Sequence, residues 1–231
     1  MLVLAAPADG FRAKLRLFTA NGAAPAVRSL SVSTSTSAGG AAHLPSSGVA
    51  AGTLLPVPGY SQMVYPDGGD VWCSPTSVSM VLAYWNGNPG TIEERVRRTV
   101  AGVYDPGSDG HGNWPFNTAF AATEGMEATV ARFTSLNDVE AWLAAGVPVV
   151  FSWAWRQGEI AGAATPSSDG HLAVIVGFDA AGNPIVNDPA AATDEDVRRT
   201  YDRTELETAW LEASGGTVYL IHPPGHPVPE L

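Results

Sequence analysis

The sequence predicts an α+β fold in which a helical lobe packs on an antiparallel sheet. Helical patterns come first, in three runs between Cys73 and Glu124, and apolar strand patterns cluster late, between Val147 and His222. That order is not the regular strand–helix alternation of a parallel sheet. At 231 residues, 45% hydrophobic and 15% charged, the chain can also bury a sizeable core without staples.

Residues 11–18, FRAKLRLF, alternate apolar and charged, and AVRSLSVSTS resumes the alternation after the turn residues TANGAAP. Residues 1–33 therefore read as a β-hairpin segment, packed on the main domain or ending a truncated β-domain, because two strands alone are marginal in water. The small, polar stretch 34–51 reads as a linker. A main domain follows over 52–222, then a Pro-rich tail over 223–231. Its first helix opens at Cys73, where Ser74 and Pro75 are helix-start residues, and runs to about Asn86 before the breaker NGNPG. Thr91 with Glu94 three residues on is a capping box for a second helix, to about Val103. After the loop YDPGSDGHGNWPF come a helix from Phe116 to Glu124, a strand at EATVARF, and a helix at LNDVEAWLAAG capped by Ser135 and Asp138 and ended by Gly146. VPVVFSWAW, HLAVIVGFD and NPIVND read as strands, the last two joined by the turn AAGN; RTELETAWLEAS reads as a helix and GTVYLIH as a closing strand.

A formal net charge of −11 argues against a nucleic-acid or anionic-membrane partner, and the pairs Arg97-Arg98 and Arg198-Arg199 are too short to be a basic patch. No stretch approaches the roughly 20 apolar residues of a membrane span. The opening MLVLAAPADG lacks the basic start of a secretory signal. A single cysteine forms neither an internal disulfide nor a Cys-rich zinc site.

That cysteine, Cys73, is either a buried packing residue or a nucleophile. Only the thiolate attacks acyl carbon, and a helix N-terminus or a nearby imidazole lowers the thiol pKa enough to supply it. Of five histidines, His43 falls in the linker and His222 and His226 at the Pro-rich end, where solvation is the simplest reading, while His111 lies in the Gly/Asp loop. His171 opens an apolar strand, which would hold it rigidly, and is the best base. With the turn centred near Ala181-Gly182, Asp188 falls opposite Ile175, an even step from His171 and so on its face. A twist or bulge must close the diagonal, and Asn187 points the other way. Gln62 could present its amide, with the backbone N–H of Cys73, to an oxyanion.

Gln62, then Cys73-Ser74-Pro75 opening a helix, then DGHLAVIVGFD and PIVNDP resemble the papain-like cysteine peptidases of the bacteriocin-processing, double-glycine-leader type, and within it a stand-alone branch found in secreted actinobacterial proteins. The resemblance covers roughly residues 52–222. It implies a papain-like fold, Cys73 as nucleophile, His171 as general base and acid, Asp188 as its orienter and Gln62 in the oxyanion hole. It also implies a peptide or protein substrate, no cofactor and an extracellular location, with the signal absent from this chain. Two departures stand out: Cys-Ser-Pro replaces the commoner Cys-Gly-Pro, and the stretch from Gln62 to Cys73 carries the insert YPDGGD.

The leading expectation is a thiol hydrolase of peptide or amide bonds working through a thioester. The same groups could pass the acyl chain to an amine, as a transglutaminase does, or the scaffold could bind peptide or cell-wall ligands without chemistry. Trp72, beside the nucleophile, is expected in the cleft wall, and Trp114 and Asn117 are candidate substrate contacts. Trp153 and Trp155, alternating on one strand, read as core. The loop Asp105–Asn113 has a superficial calcium-loop spacing, but Phe116 stands where that loop needs Glu, and no metal is expected.

Overall fold

The protein, a computed structural model, is described over residues 8–19, 21–22, 26–27, 30–34 and 43–230. The chain divides into two units, residues 1–31 and 32–231. In the first, the described residues carry no strand, and Phe11, Leu15, Leu17 and Phe18 are all more than half exposed. The hairpin expected over 11–33 is therefore not formed among them; residues 20, 23–25 and 28–29 of that stretch lie outside the described residues. Alternation specifies a strand only where something buries the apolar face, and these side chains stay in solvent.

The second unit is built on a single six-stranded antiparallel sheet in the order β1-β6-β2-β3-β4-β5: β1 (Glu127–Arg132), β2 (Val149–Trp155), β3 (Ser168–Phe178), β4 (Pro184–Asn187), β5 (Arg198–Thr200) and β6 (Thr217–His222). Helices α1 (Cys73–Asn86), α2 (Ile92–Val103) and α3 (Trp114–Thr123) pack on one face, and α4 (Leu136–Ala144) and α5 (Arg203–Ser214) on the other. The side-chain period of two sorts the strands between these layers. Phe151, Trp153, Ala173 and Ile175 join Trp142 and Trp210, whereas Val150, Leu172, Val174 and Val176 join Val78, Met80 and Val81. Because both faces are covered, the central strands read as continuous apolar runs. The expected α+β class holds, with helices on both faces rather than in one lobe.

Local signals set the element ends. Thr91 and Glu94 form the capping box of α2, Asn113 caps α3 by accepting from the Phe116 N–H, and Gly87 ends α1 in the left-handed region at φ 71°. The short charged edge strand β5 was not expected; Arg198-Arg199-Thr200 carries no apolar pattern, and only pairing with β4 makes it a strand.

Two segments depart from the sequence reading. Residues 35–42 of the expected linker lie outside the described residues, but 43–51 are a docked strap. His43 Nδ1 lies 3.0 Å from Glu207, the Ser47 N–H donates to Glu140 at 2.9 Å, and Arg203 donates to the Leu44 carbonyl at 3.2 Å. The anchors are buried acids on α4 and α5, which composition alone does not place beside the strap. At the other end, His222 is not solvated: it closes β6 and is buried. His226 Nε2 lies 2.8 Å from the Ala145 carbonyl, with its ring against Trp85.

Beyond the strap, the chain crosses β3 at Gly177. Phe178 N–H donates to the Thr53 carbonyl at 2.9 Å and Leu55 N–H to that of Val176 at 2.8 Å, while β3 bulges between Ile175 and Gly177. A Cβ at Gly177 would stand 2.2 Å from the Thr53 carbonyl oxygen, which is backbone and cannot swing aside. Gly177→Ala is expected to lower stability by about 1–3 kcal/mol, read as a lower urea midpoint at unchanged m-value.

Candidate active site

Cys73 is the first residue of α1, where the unpaired amides of the opening turn and the helix dipole favour a negative charge. His171 faces it from β3. The pairing Val174↔Asn187 carries Asp188 on to lie across from Ala173, two residues along the strand from His171. The sequence reading placed Asp188 opposite Ile175. The turn is centred half a residue earlier than expected, which moves the register by one, and the bulge between Ile175 and Gly177 moves it by one more. The shift of two keeps the predicted face and shortens the diagonal. His171 Nε2 lies 2.7 Å from Asp188 Oδ1, which leaves Nδ1 as the ring nitrogen available to the thiol. Asn187 points the other way, as expected, donating to the Val57 and Pro58 carbonyls.

Asp188 is fully buried, and its oxygens are occupied. Oδ1 also accepts from the Ala190 N–H at 3.0 Å, and Oδ2 accepts from the Tyr201 hydroxyl at 2.7 Å. Burial pushes this carboxyl up, but the charge and hydrogen bond of His171, then Tyr201 and the Ala190 amide, hold it below its ordinary value. Burial likewise pushes His171 down, and the charge and hydrogen bond of Asp188, aided by Cys73, outweigh it and raise the imidazole to about 10. Burial pushes the Cys73 thiol up; the hydrogen bond and charge of His171, with the backbone N–H groups of Leu172 and Ser74, bring it below its ordinary value. These shifts share a direction: at neutral pH they favour a thiolate–imidazolium pair. Trp155 meets the His171 ring edge-on at 5.6 Å, with Trp153 behind, so both tryptophans are core, as expected, and also back the imidazole.

Cys73 and His171 open onto a cleft of about 610 Å³. Gln62 lines it, only 3% exposed, with its N–H donating to the Pro189 carbonyl at 2.8 Å. Its Oε1 is buried without a hydrogen-bond partner among the described residues. The insert before Cys73 folds into a compact turn: Tyr65 N–H donates to the Gln62 carbonyl, Gly69 N–H to that of Tyr65, and a short 3-10 helix, Gly69–Val71, leads into α1.

The expected substrate contacts divide. Trp114 lines the cleft. Trp72 does not: it is buried between Tyr65, His111 and the Arg97 guanidinium, because the residue before Cys73 turns into the lobe as α1 begins. Asn117 is fully buried and donates to the carbonyls of His111 and Asn113, bracing the loop from beneath instead of meeting a substrate. In that loop Asp105 is engaged by the Gly107 N–H, Ser108 and Asn113, and no cluster placed to hold a metal occurs among the described residues. Nor, among those residues, is any helix long and apolar enough to cross a membrane. Tyr201 and the Leu172 amide had no sequence signal; both reach the site through the way β3 and the end of β5 are juxtaposed.

The model of the Peptidase_C39 like family matches residues 54–218. The chain belongs to that family. The arrangement of a cysteine-bearing helix against a histidine-bearing antiparallel sheet is the one expected from the sequence. Among solved structures it is similar to a double glycine motif protease from an AMS/PCAT transporter in complex with the leader peptide, at 18% identity and TM-score 0.47, covering 74% of this chain and 94% of that one. It is also similar to a C39-like peptidase from Bacillus anthracis, at 18% identity and TM-score 0.46, covering 72% and 96%. No curated protein matches the chain.

Tyr201→Phe removes only the hydroxyl and strands a buried carboxylate oxygen of Asp188. The expected cost is about 1–3 kcal/mol of stability at neutral pH, measured by urea unfolding.

Proposed function

We propose that this family member is a cysteine peptidase or amidase that cleaves peptide bonds through a thioester on Cys73. The observation that carries the reading is the 2.7 Å bond from His171 to a buried Asp188, with the same histidine lining one cleft with a thiol at a helix start.

The Cys73 thiolate attacks the scissile carbonyl carbon, and the oxyanion that forms is met by Gln62 Nε2 and the Cys73 backbone N–H. Collapse breaks the C–N bond as the His171 imidazolium gives its Nδ1 proton to the leaving nitrogen, so the first product departs as an amine. A water then attacks the thioester, surrendering a proton to Nδ1, and the acid product leaves as the C–S bond breaks. Asp188 stays ionised throughout and keeps the Nε2–H oriented.

Alkylation by iodoacetamide between about pH 4 and 9 tests the pair directly. Wild-type reactivity is expected to persist well below the free-thiol pKa of about 8.5, and His171→Ala to lose that acidic-range reactivity. Matching profiles near the free value would sink the reading and leave a binding module. Peptide hydrolysis is expected to follow a bell: it rises with pH through the lowered Cys73 pKa and falls as pH passes the raised His171 value of about 10.

Gln62→Ala is expected to cut kcat by about 100- to 1,000-fold with little change in KM. Gly69→Ala should approach the same defect without touching the amide, since its Cβ would lie 2.0 Å from the Gln62 carbonyl oxygen and force that residue aside. Full activity in both variants would remove Gln62 from the mechanism.

A further inference from the structure

Apart from the Cys73–His171 pair, the charged side chains that line the cleft are all acids. Asp70, in the 3-10 helix just before Cys73, lines the helical wall, and Asp169, two residues before His171 on β3, lines the sheet wall. Both are exposed, and neither has an ion-pair partner among the described residues. Asp67 and Glu93 pair with Arg97, Glu124 with Arg98 and Glu140 with Arg203, while many other acids, such as Asp105, Asp109 and Glu159, share the lack of an ion pair among the described residues; what sets Asp70 and Asp169 apart is their place in the cleft lining. No lysine or arginine lines the cleft. Arg132, whose guanidinium lies over the Trp114 ring, is turned to the carbonyls of Ser214 and Gly215. On the helical lip, Met63 and Val71 line the same cleft and are 46% and 60% exposed.

We propose that the cleft selects a cationic peptide, with a Lys or Arg side chain held between Asp70 and Asp169 next to the bond presented to Cys73, and an apolar neighbour against Met63 and Val71. The proposal rests on the peptidase reading for its chemistry, though not for its charge preference. A peptide covering the cleft strips water from both carboxylates, which costs free energy unless the peptide supplies the counter-charge. An acidic peptide meets the same carboxylates as repulsion, so one pair of residues both attracts and excludes.

The test uses a matched pair of thiol reagents, the trimethylammonium-ethyl and sulfonato-ethyl methanethiosulfonates, with neutral iodoacetamide as reference. A Cys–His site without nearby acids draws the anion to its imidazolium. Here the cationic reagent is expected to react faster by roughly tenfold at about 10 mM salt, and the preference to shrink towards unity as salt rises through about 0.5 M. Asp70→Asn with Asp169→Asn should abolish the preference. Glu195→Gln with Glu230→Gln, the same change in net charge outside the cleft lining, should leave it intact. A cation/anion ratio at or below one in the wild type, or an unchanged ratio in the Asp70/Asp169 variant, overturns the proposal.

Peptides supply the second arm. A short peptide with a central Leu-Lys should slow iodoacetamide labelling of Cys73 more than its Leu-Glu counterpart, and equal protection overturns the proposal. A thiol that titrates as an ordinary cysteine while the charge preference persists would overturn the peptidase reading alone and leave a cleft that binds cationic peptides.

Discussion

The fully buried carboxylate of Asp188 is the constraint around which the second unit is arranged. An ionised group with no solvent is tolerated only if its oxygens are paired, and three donors do this: His171, Tyr201 and the Ala190 amide. Each comes from a different stretch: β3, the residue after β5, and the turn beyond β4. Removing any one leaves charge in the interior, so the sheet order that brings these stretches together and the chemistry at its end are one requirement.

From that carboxylate the charge balance passes outward. Asp188 raises His171, and His171 in turn lowers Cys73, which sits where the α1 dipole and the Leu172 and Ser74 amides already favour a thiolate. Burial opposes all three ionisations. The arrangement prevails because each charge has its partner within hydrogen-bond reach and because the aromatic wall of Trp153 and Trp155 fixes the imidazole plane. A thiol at a helix start alone would gain much less.

Much of this was legible because periodicity is robust to small errors. The helices at Cys73, Thr91, Ser135 and Arg203 are signalled by caps and breakers whose chemistry is local. Asp188 falls on the His171 face despite a misjudged turn centre, since the turn and the bulge that the long diagonal called for each move the register by one, and a shift of two leaves the face unchanged. Features that depend on distant partners were not legible. Strand β5 has no pattern of its own, the strap over 43–51 looks like a linker until Glu140 and Glu207 are placed beneath it, and Trp72 and Asn117 look like cleft residues until α1 and α3 turn them inward. The hairpin pattern near the N-terminus is the complementary case: a local signal whose apolar side chains are exposed among the described residues.

Chain spacing between Gln62 and Cys73 proves a poor guide for the same reason. What locates Gln62 is its N–H bond to the Pro189 carbonyl, one residue beyond Asp188. The intervening insert is free to lengthen so long as it closes on itself, which it does through the Tyr65 and Gly69 hydrogen bonds and the contact that leaves no room for a side chain at Gly69. The amide proposed for the oxyanion is thus tied to the same strand end as the carboxylate that orients the histidine. A shift at residues 188–189 would move both together relative to Cys73, which couples the two polar halves of the site more tightly than either is coupled to the thiol.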